Sequence, residues 1–285
     1  MAEARSQALV LPADADVLGL AQAWFPEAEW ITVPETRQPK PQLVGARFGK
    51  VAAAKPAVVP GLLRLTWGSR LQGPHGLDVL PATSALPDGL ARVFLLDHDE
   101  TEPEPRLTGW LYAVARHTGG VVVVDGTVVG SASAATTISL YAAEPLAAEV
   151  ALTLVRSAAP MARPAAPSAE LPYRITVPSE FDGVIDIVAG RAAELPVSLL
   201  RLDASDYGPN VFQMTWSLAG AEIGSPPHRI ARERSLPVLA RVAAALQRAT
   251  RGALVDGDGF VVPPEEVQSR ASALTGGGTR LRTSA

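Results

Sequence analysis

Apolar positions recur at helical spacing in four stretches of the chain. Val17, Leu20, Ala21 and Trp24 share one face behind Asp14 or Asp16, whose carboxylates suit an N-cap, and Pro26 stops the segment. Leu107, Leu111 and Val114 mark a second helix, closed by Gly119 or Gly120 because glycine tolerates the left-handed geometry of a helix end. Leu146, Val150 and Leu154 mark a third, with Pro145 in its first turn, where a missing N–H costs nothing. Leu236, Leu239, Ala243 and Leu246 mark a fourth, with Ser235 as N-cap and Gly252 as its end.

Between these helices the pattern becomes extended. Trp30–Val33, Leu43–Lys50, Leu62–Trp67 and Val93–Asp97 read as strands before the second helix, and Tyr173–Val177, Val184–Val188, Val197–Asp203 and Val211–Leu218 before the fourth. The four valines Val121–Val124 suit a strand buried on both faces. Asp125-Gly126 and Asp256-Gly257 supply turn chemistry after the last strand of each set. A short helix over Glu265–Leu274 is expected to follow, broken by Gly276–Gly278 and leading into a disordered tail.

The two sets share an order, helix, strands, helix, strand, and short segments recur between them. Ile31–Pro34 recurs as Ile175–Pro178, Leu62–Leu65 as Leu199–Leu202, Val93-Phe94 as Val211-Phe212, and Thr118–Gly126 resembles Thr250–Gly257. In this register Arg64 and Arg201 are equivalent, each facing solvent between core-facing leucines. The chain therefore reads as a tandem pseudo-twofold repeat of α+β class. Each half is a mostly antiparallel sheet with two helices packed on one face. Residues 1–135 form the first repeat, 136–263 the second, and 264–285 a short helix and tail. The Pro/Ala-rich stretch Met161–Leu171, which resembles a linker, becomes a loop inside the second repeat. The junction falls in Gly130–Ala142, between the valine strand and the next helix.

Composition narrows the setting. The 285 residues carry 25 Lys+Arg against 29 Asp+Glu, a formal net charge of −4, and no cysteine. Zero cysteine excludes disulfides, thiolate metal sites and a cysteine nucleophile, and fits a reducing cytoplasm. The N-terminal apolar stretch Ala8–Leu11 is too short for a signal peptide, and Glu144, Pro145 and Glu149 interrupt the longest apolar stretch, so no membrane partner is expected. Slight overall acidity points away from nucleic acid. Lysine occurs only at positions 40, 50 and 55 against 22 arginines, as a GC-rich bacterial coding bias would leave it.

Candidate chemistry is sparse. Walker A, GxSxG, HExxH and EF-hand patterns are all missing, and no cofactor is expected. Asp97, His98, Asp99 and Glu100 follow a strand and could hold a divalent cation or exchange protons, although a solvated acidic loop looks the same in sequence. Trp67 with His75, and Trp216 with His228, pair an aromatic residue with a histidine across a proline-containing segment, as in a ligand pocket or a partner contact. The same residues also suit core filling and turns. The reading that follows is a cytoplasmic, non-enzymatic protein that binds another protein or itself, in a scaffold, regulatory or immunity/inhibitor role. A hydrolase or metal-dependent enzyme using residues 97–100 is the alternative. A small-molecule sensor binding between the halves is the second.

Overall fold

The protein is described here from a computed structural model, covering residues 7–37, 57–81, 86–98, 105–129, 136–165, 171–179, 182–222 and 225–272. The expected strand Leu43–Lys50, the acids Asp99 and Glu100 and the glycine-rich tail lie outside these residues. The chain divides into two compact units, Met1–Ser131 and Ala132–Ala285.

The first unit contains β1 (Gln7–Pro12), α1 (Val17–Gln22), β2 (Glu29–Thr32), β3 (Glu35–Arg37), β4 (Ala57–Val59), β5 (Gly61–Thr66), β6 (Ser69–His75), β7 (Leu90–His98), α2 (Pro105–Thr118), β8 (Val121–Val124) and β9 (Thr127–Val129). Seven strands form one sheet in the order β2-β5-β6-β7-β1-β8-β9, and every pairing in it is antiparallel. β3 and β4 pair separately. They continue β2 and β5 past Pro34 and Pro60, whose missing N–H groups interrupt a ladder. Together β2–β5 make an arm at one edge of the sheet.

Asp16 caps α1 as expected, its Oδ1 accepting from the Gly19 N–H at 3.1 Å. The expected face of α2 is also correct: Leu107, Leu111 and Val114 are buried, with Trp110 beside them. The Trp110 indole donates to the Leu20 carbonyl at 3.0 Å, tying α2 to α1, and α2 lies against β1 and β8. On the other side of the sheet, Ala8, Val10, Val93, Val121 and Val123 cluster under Leu80 and Leu86 from the β6–β7 connection. β1 and β8 are thus covered on both faces, which is why their sequences are apolar without alternation.

The second unit contains β10 (Thr136–Ala142), α3 (Ala148–Ala158), β11 (Arg163–Pro164), β12 (Tyr173–Ser179), β13 (Gly183–Arg191), β14 (Asn210–Ser217), α4 (Pro226–Thr250), β15 (Ala253–Asp256), β16 (Val261–Val262) and α5 (Pro264–Ser272). Its seven-stranded sheet runs β11-β12-β13-β14-β10-β15-β16. Taken in this sheet order, these strands occupy the places of β2, β5, β6, β7, β1, β8 and β9. α3 and α4 cover the core formed by Ile138, Leu140, Ile175, Ile187, Phe212 and Met214. Leu199, Ala253 and Val255 cluster on the other side. α5 packs on α4 and buries Val267 in that same core.

The two sheets share one local device at the turn from helix to strand. Thr118 and Thr250 each bond back to a helix carbonyl, Val114 and Leu246, and each accepts from the N–H two residues on, Gly120 and Gly252. Both glycines press against a central strand. A Cβ would stand 2.5 Å from the Val10 carbonyl at Gly120, and 2.4 Å from the Tyr141 carbonyl at Gly252.

Several expectations are corrected. The Val93-Phe94 and Thr118–Gly126 matches fall on corresponding elements, β7 with β14 and β8 with β15. The Ile-Thr-Val-Pro and Leu-Leu-Arg-Leu matches do not: Ile175–Pro178 lies in β12, whose place in the first sheet is held by β5, not β2. Val197–Arg201 is a 3-10 turn and not a strand, because Pro196 opens it and its apolar residues, Leu199 alone buried, follow no two-residue alternation. Arg64 and Arg201 are therefore not equivalent. Thr136–Ala142 is a central strand, where a junction leading to a helix was expected. Ser235 is no cap: α4 starts at Pro226 behind Ser225 and runs through Pro237. α3 buries Ala151 and Val155 and leaves Val150 exposed, a face one position on from the one expected. The left-handed residue closing α4 is Arg251, with φ 55°, and not Gly252, which is needed for closeness instead. Among the described residues, no helix is long and apolar enough to cross a membrane.

Candidate functional site

The arm of the first unit is the most unusual surface. On β5, Gly61, Leu63 and Leu65 face inward while Leu62, Arg64 and Thr66 alternate with them. β2 pairs Glu29 opposite Arg64, and the Arg64 guanidinium donates to Glu29 Oε1 at 2.6 Å. The same guanidinium lies 5.1 Å from the centre of the Trp67 ring. Trp67 occupies the two-residue turn between Thr66 and Ser69 and is 82% exposed. Ile31 and Val33 next to β2's end, and Val58 on β4, are also exposed. Large apolar side chains held in water by a fixed scaffold mark contact surfaces more often than scattered ones do. The contacts of Arg64 with Glu29 and with Trp67 link the indole to the β2–β5 pair.

His75 is not brought to Trp67. The whole of β6 separates them, and His75 pairs opposite Val93 with its Nε2 buried and without a hydrogen-bond partner. Trp216 and His228 do meet, ring centres 5.2 Å apart in an edge-to-face contact. Both are buried, so the pair itself presents no open surface.

Beside that pair the second unit has a cleft of about 230 Å³, lined by Val177, Val184, Trp216 and Val238, with Met161 and Arg234 among the residues around it. Asp182 organises it. Its backbone carbonyl accepts from Trp216 Nε1 at 2.7 Å and from Ser235 Oγ at 3.0 Å, and its carboxylate sits 3.5 Å from Arg234. The volume is below the few hundred Å³ usual for a small-molecule site, and suits one or two side chains.

Asp97 and His98 are consecutive on β7, so their side chains leave opposite faces of the sheet and do not converge. Asp97 pairs opposite Arg70, and His98 opposite Ser69, with its Nδ1 buried and unpartnered. Among the described residues no three metal-ligating side chains gather.

Sequence reasoning missed Ile31, Val33 and Val58 as surface, and missed Asp182. A signal for the arm was present. Residues 36–77 contain seven of the 25 basic residues and none of the 29 acidic ones, in a chain with a net charge of −4. Asp182 carried no such signal, because its role is made by its backbone carbonyl. Compared with known proteins, the chain matches no family model, no curated protein and no solved structure.

Proposed function

We propose that this protein acts by binding another protein, in a scaffold, regulatory or inhibitor role, and that the arm of the first unit is the surface it uses. The observation that carries this reading is Trp67, 82% exposed yet held by Arg64, with exposed Ile31, Val33 and Val58 on the same arm. Tryptophan and arginine are the residues most enriched at the energetic centres of protein interfaces. Leaving an indole in water gives nothing to folding, so its fixed presentation has its rationale in contact with something else.

Site-specific photo-crosslinking tests this. A photoreactive phenylalanine analogue at position 67, in cells that make the protein, is expected to trap one discrete partner protein. The same analogue at Leu200, an exposed apolar site of the second unit, is expected to trap none. Equal, diffuse labelling from both positions would overturn the proposal. Alanine at Asp97 and His98 is expected to leave the adduct at 67 unchanged.

A further inference from the structure

We infer that the cleft of the second unit binds a small, free apolar monocarboxylate, with its apolar body against Trp216 and Val238 and its carboxylate on Arg241. This goes beyond protein binding by the arm and does not rest on it.

The cleft combines apolar walls with a cation that has no counter-charge. Val177, Ile185 and Trp216 line it from the core, and Val184 and Val238 line it half-buried. The two polar hydrogens among these walls are already engaged. Trp216 Nε1 and Ser235 Oγ both donate to the Asp182 carbonyl, at 2.7 and 3.0 Å. The body of a ligand here therefore meets carbon.

Charge is arranged along α4. Arg234, Val238 and Arg241 stand at positions i, i+4 and i+7, so they share one face of the helix, with an arginine on either side of the valine. Both arginines line the cleft. Arg234 is balanced by the Asp182 carboxylate at 3.5 Å. Among the described residues, Arg241 has no carboxylate within ion-pair distance, and its Nη1 bond to the Ala271 carbonyl is long, at 3.5 Å. Two arginines against one aspartate leave the cleft one positive charge in excess. A half-buried cation without a counter-charge is costly, and the planar fork of a guanidinium matches a carboxylate.

This charge balance selects among ligands. One carboxylate neutralises the excess. A phosphate monoester brings almost two negative charges and meets Asp182. A neutral apolar molecule leaves Arg241 unmatched, and a cation meets the excess of its own sign. The volume of about 230 Å³ limits the body to the bulk of one or two side chains.

Calorimetric titration of the full chain tests this. The probes are 4-phenylbutanoate and 4-methylpentanoate, the amide of each, and a short peptide ending in leucine with a free carboxylate. At least one free acid is expected to bind, and at least about tenfold more tightly than its amide. Arg241→Gln is expected to erase that preference, and Arg241→Lys to retain most of it. Val238→Phe is expected to fill the cleft and abolish binding of acid and amide alike. Thermal melts matched to the wild type separate these losses from a folding defect, and the lysine variant keeps the charge test open if the glutamine variant does not fold. Equal binding of acid and amide would overturn the inference. So would failure of both acids to bind at about 10 mM, or binding that Arg241→Gln and Val238→Phe leave unchanged. A peptide that binds more than about tenfold tighter than either free acid, and is lost in Val238→Phe, would also overturn it, assigning the cleft to a chain end.

Discussion

Thr66-Trp67 and Thr215-Trp216 are the same dipeptide with opposite fates. Trp67 is 82% exposed and Trp216 is 1% exposed. Both continue an inward alternation, Leu63 and Leu65 in one case and Phe212 and Met214 in the other. The difference is where the ladder stops. β14 runs on to Ser217, so Trp216 keeps its place under α4 and beside His228. β5 ends at Thr66, so Trp67 falls in a hairpin turn and the alternation carries it into solvent. Burial is decided by strand length, which the partner strand sets, and not by the local residues.

That contrast can be broken or sharpened by experiment. The largest effect is expected at Trp216. Trp216→Ala removes a buried indole and its hydrogen bond to Asp182, and should cost about 3–5 kcal/mol of stability by denaturant titration. A loss under about 1 kcal/mol would mean that the site collapses around the deletion.

Next come the paired glycines. Gly120→Ala and Gly252→Ala each push a methyl group onto a strand carbonyl, at 2.5 and 2.4 Å, so each should cost about 1–3 kcal/mol. The two costs should agree within about 1 kcal/mol if the helix-to-strand turns are built alike. Cooperative melts of each variant measure this.

A smaller, pH-dependent difference belongs to the second unit. The Tyr173 hydroxyl donates to the Leu146 carbonyl at 3.0 Å, and burial pushes its pKa up to about 12. In the unfolded chain a tyrosine titrates near 10. Between those values the unfolded state gives up its proton and the folded state keeps it. The contribution is therefore fully present below about pH 10 and is lost as pH rises toward about 12. Stability measured across that window should fall in the wild type, and Tyr173→Phe should remove this part of the fall.

The smallest stability effect is expected at Trp67. Trp67→Ala should change stability by no more than about 0.5 kcal/mol, as for other exposed positions, while removing partner binding. A large loss of stability would show that the arm needs the indole for its own structure. Trp216→Ala should do the reverse, lowering stability without changing the arm's affinity in the folded fraction.

Much of the fold was legible where one segment carried its own signal. Asp16 at the start of α1, the face of α2, the valine strand β8 and the Asp125-Gly126 turn all depend on neighbours a few residues away. The failures have a common cause in distant partners. Ile-Thr-Val-Pro occurs twice, yet one copy lies at a sheet edge and the other inside the sheet, and only pairing distinguishes them. β1 escaped notice because a strand covered on both faces lacks alternation, whereas β10 does alternate, burying Ile138, Leu140 and Ala142, and was hidden by its place in the expected junction. The long run of α4 through Pro237 overrides a local signal that placed its start at Ser235. Of the candidate site residues, sequence reasoning had Trp67 in hand but not its neighbours on β2 and β4, because exposure of an apolar strand residue is a property of the finished sheet.

The central position of β1 also governs the order in which the molecule can be made. Gln7–Pro12 pairs on one side with Leu90–His98 and on the other with Val121–Val124. Thr136–Ala142 waits likewise for Asn210–Ser217 and Ala253–Asp256. During synthesis, the first strand of each unit leaves the ribosome with both flanks bare and stays so until most of that unit has followed. Such distant pairings slow folding and lengthen the exposure of an aggregation-prone apolar segment. A nascent chain stalled before Val121 would hold an open-sided sheet, a natural client for a holding chaperone.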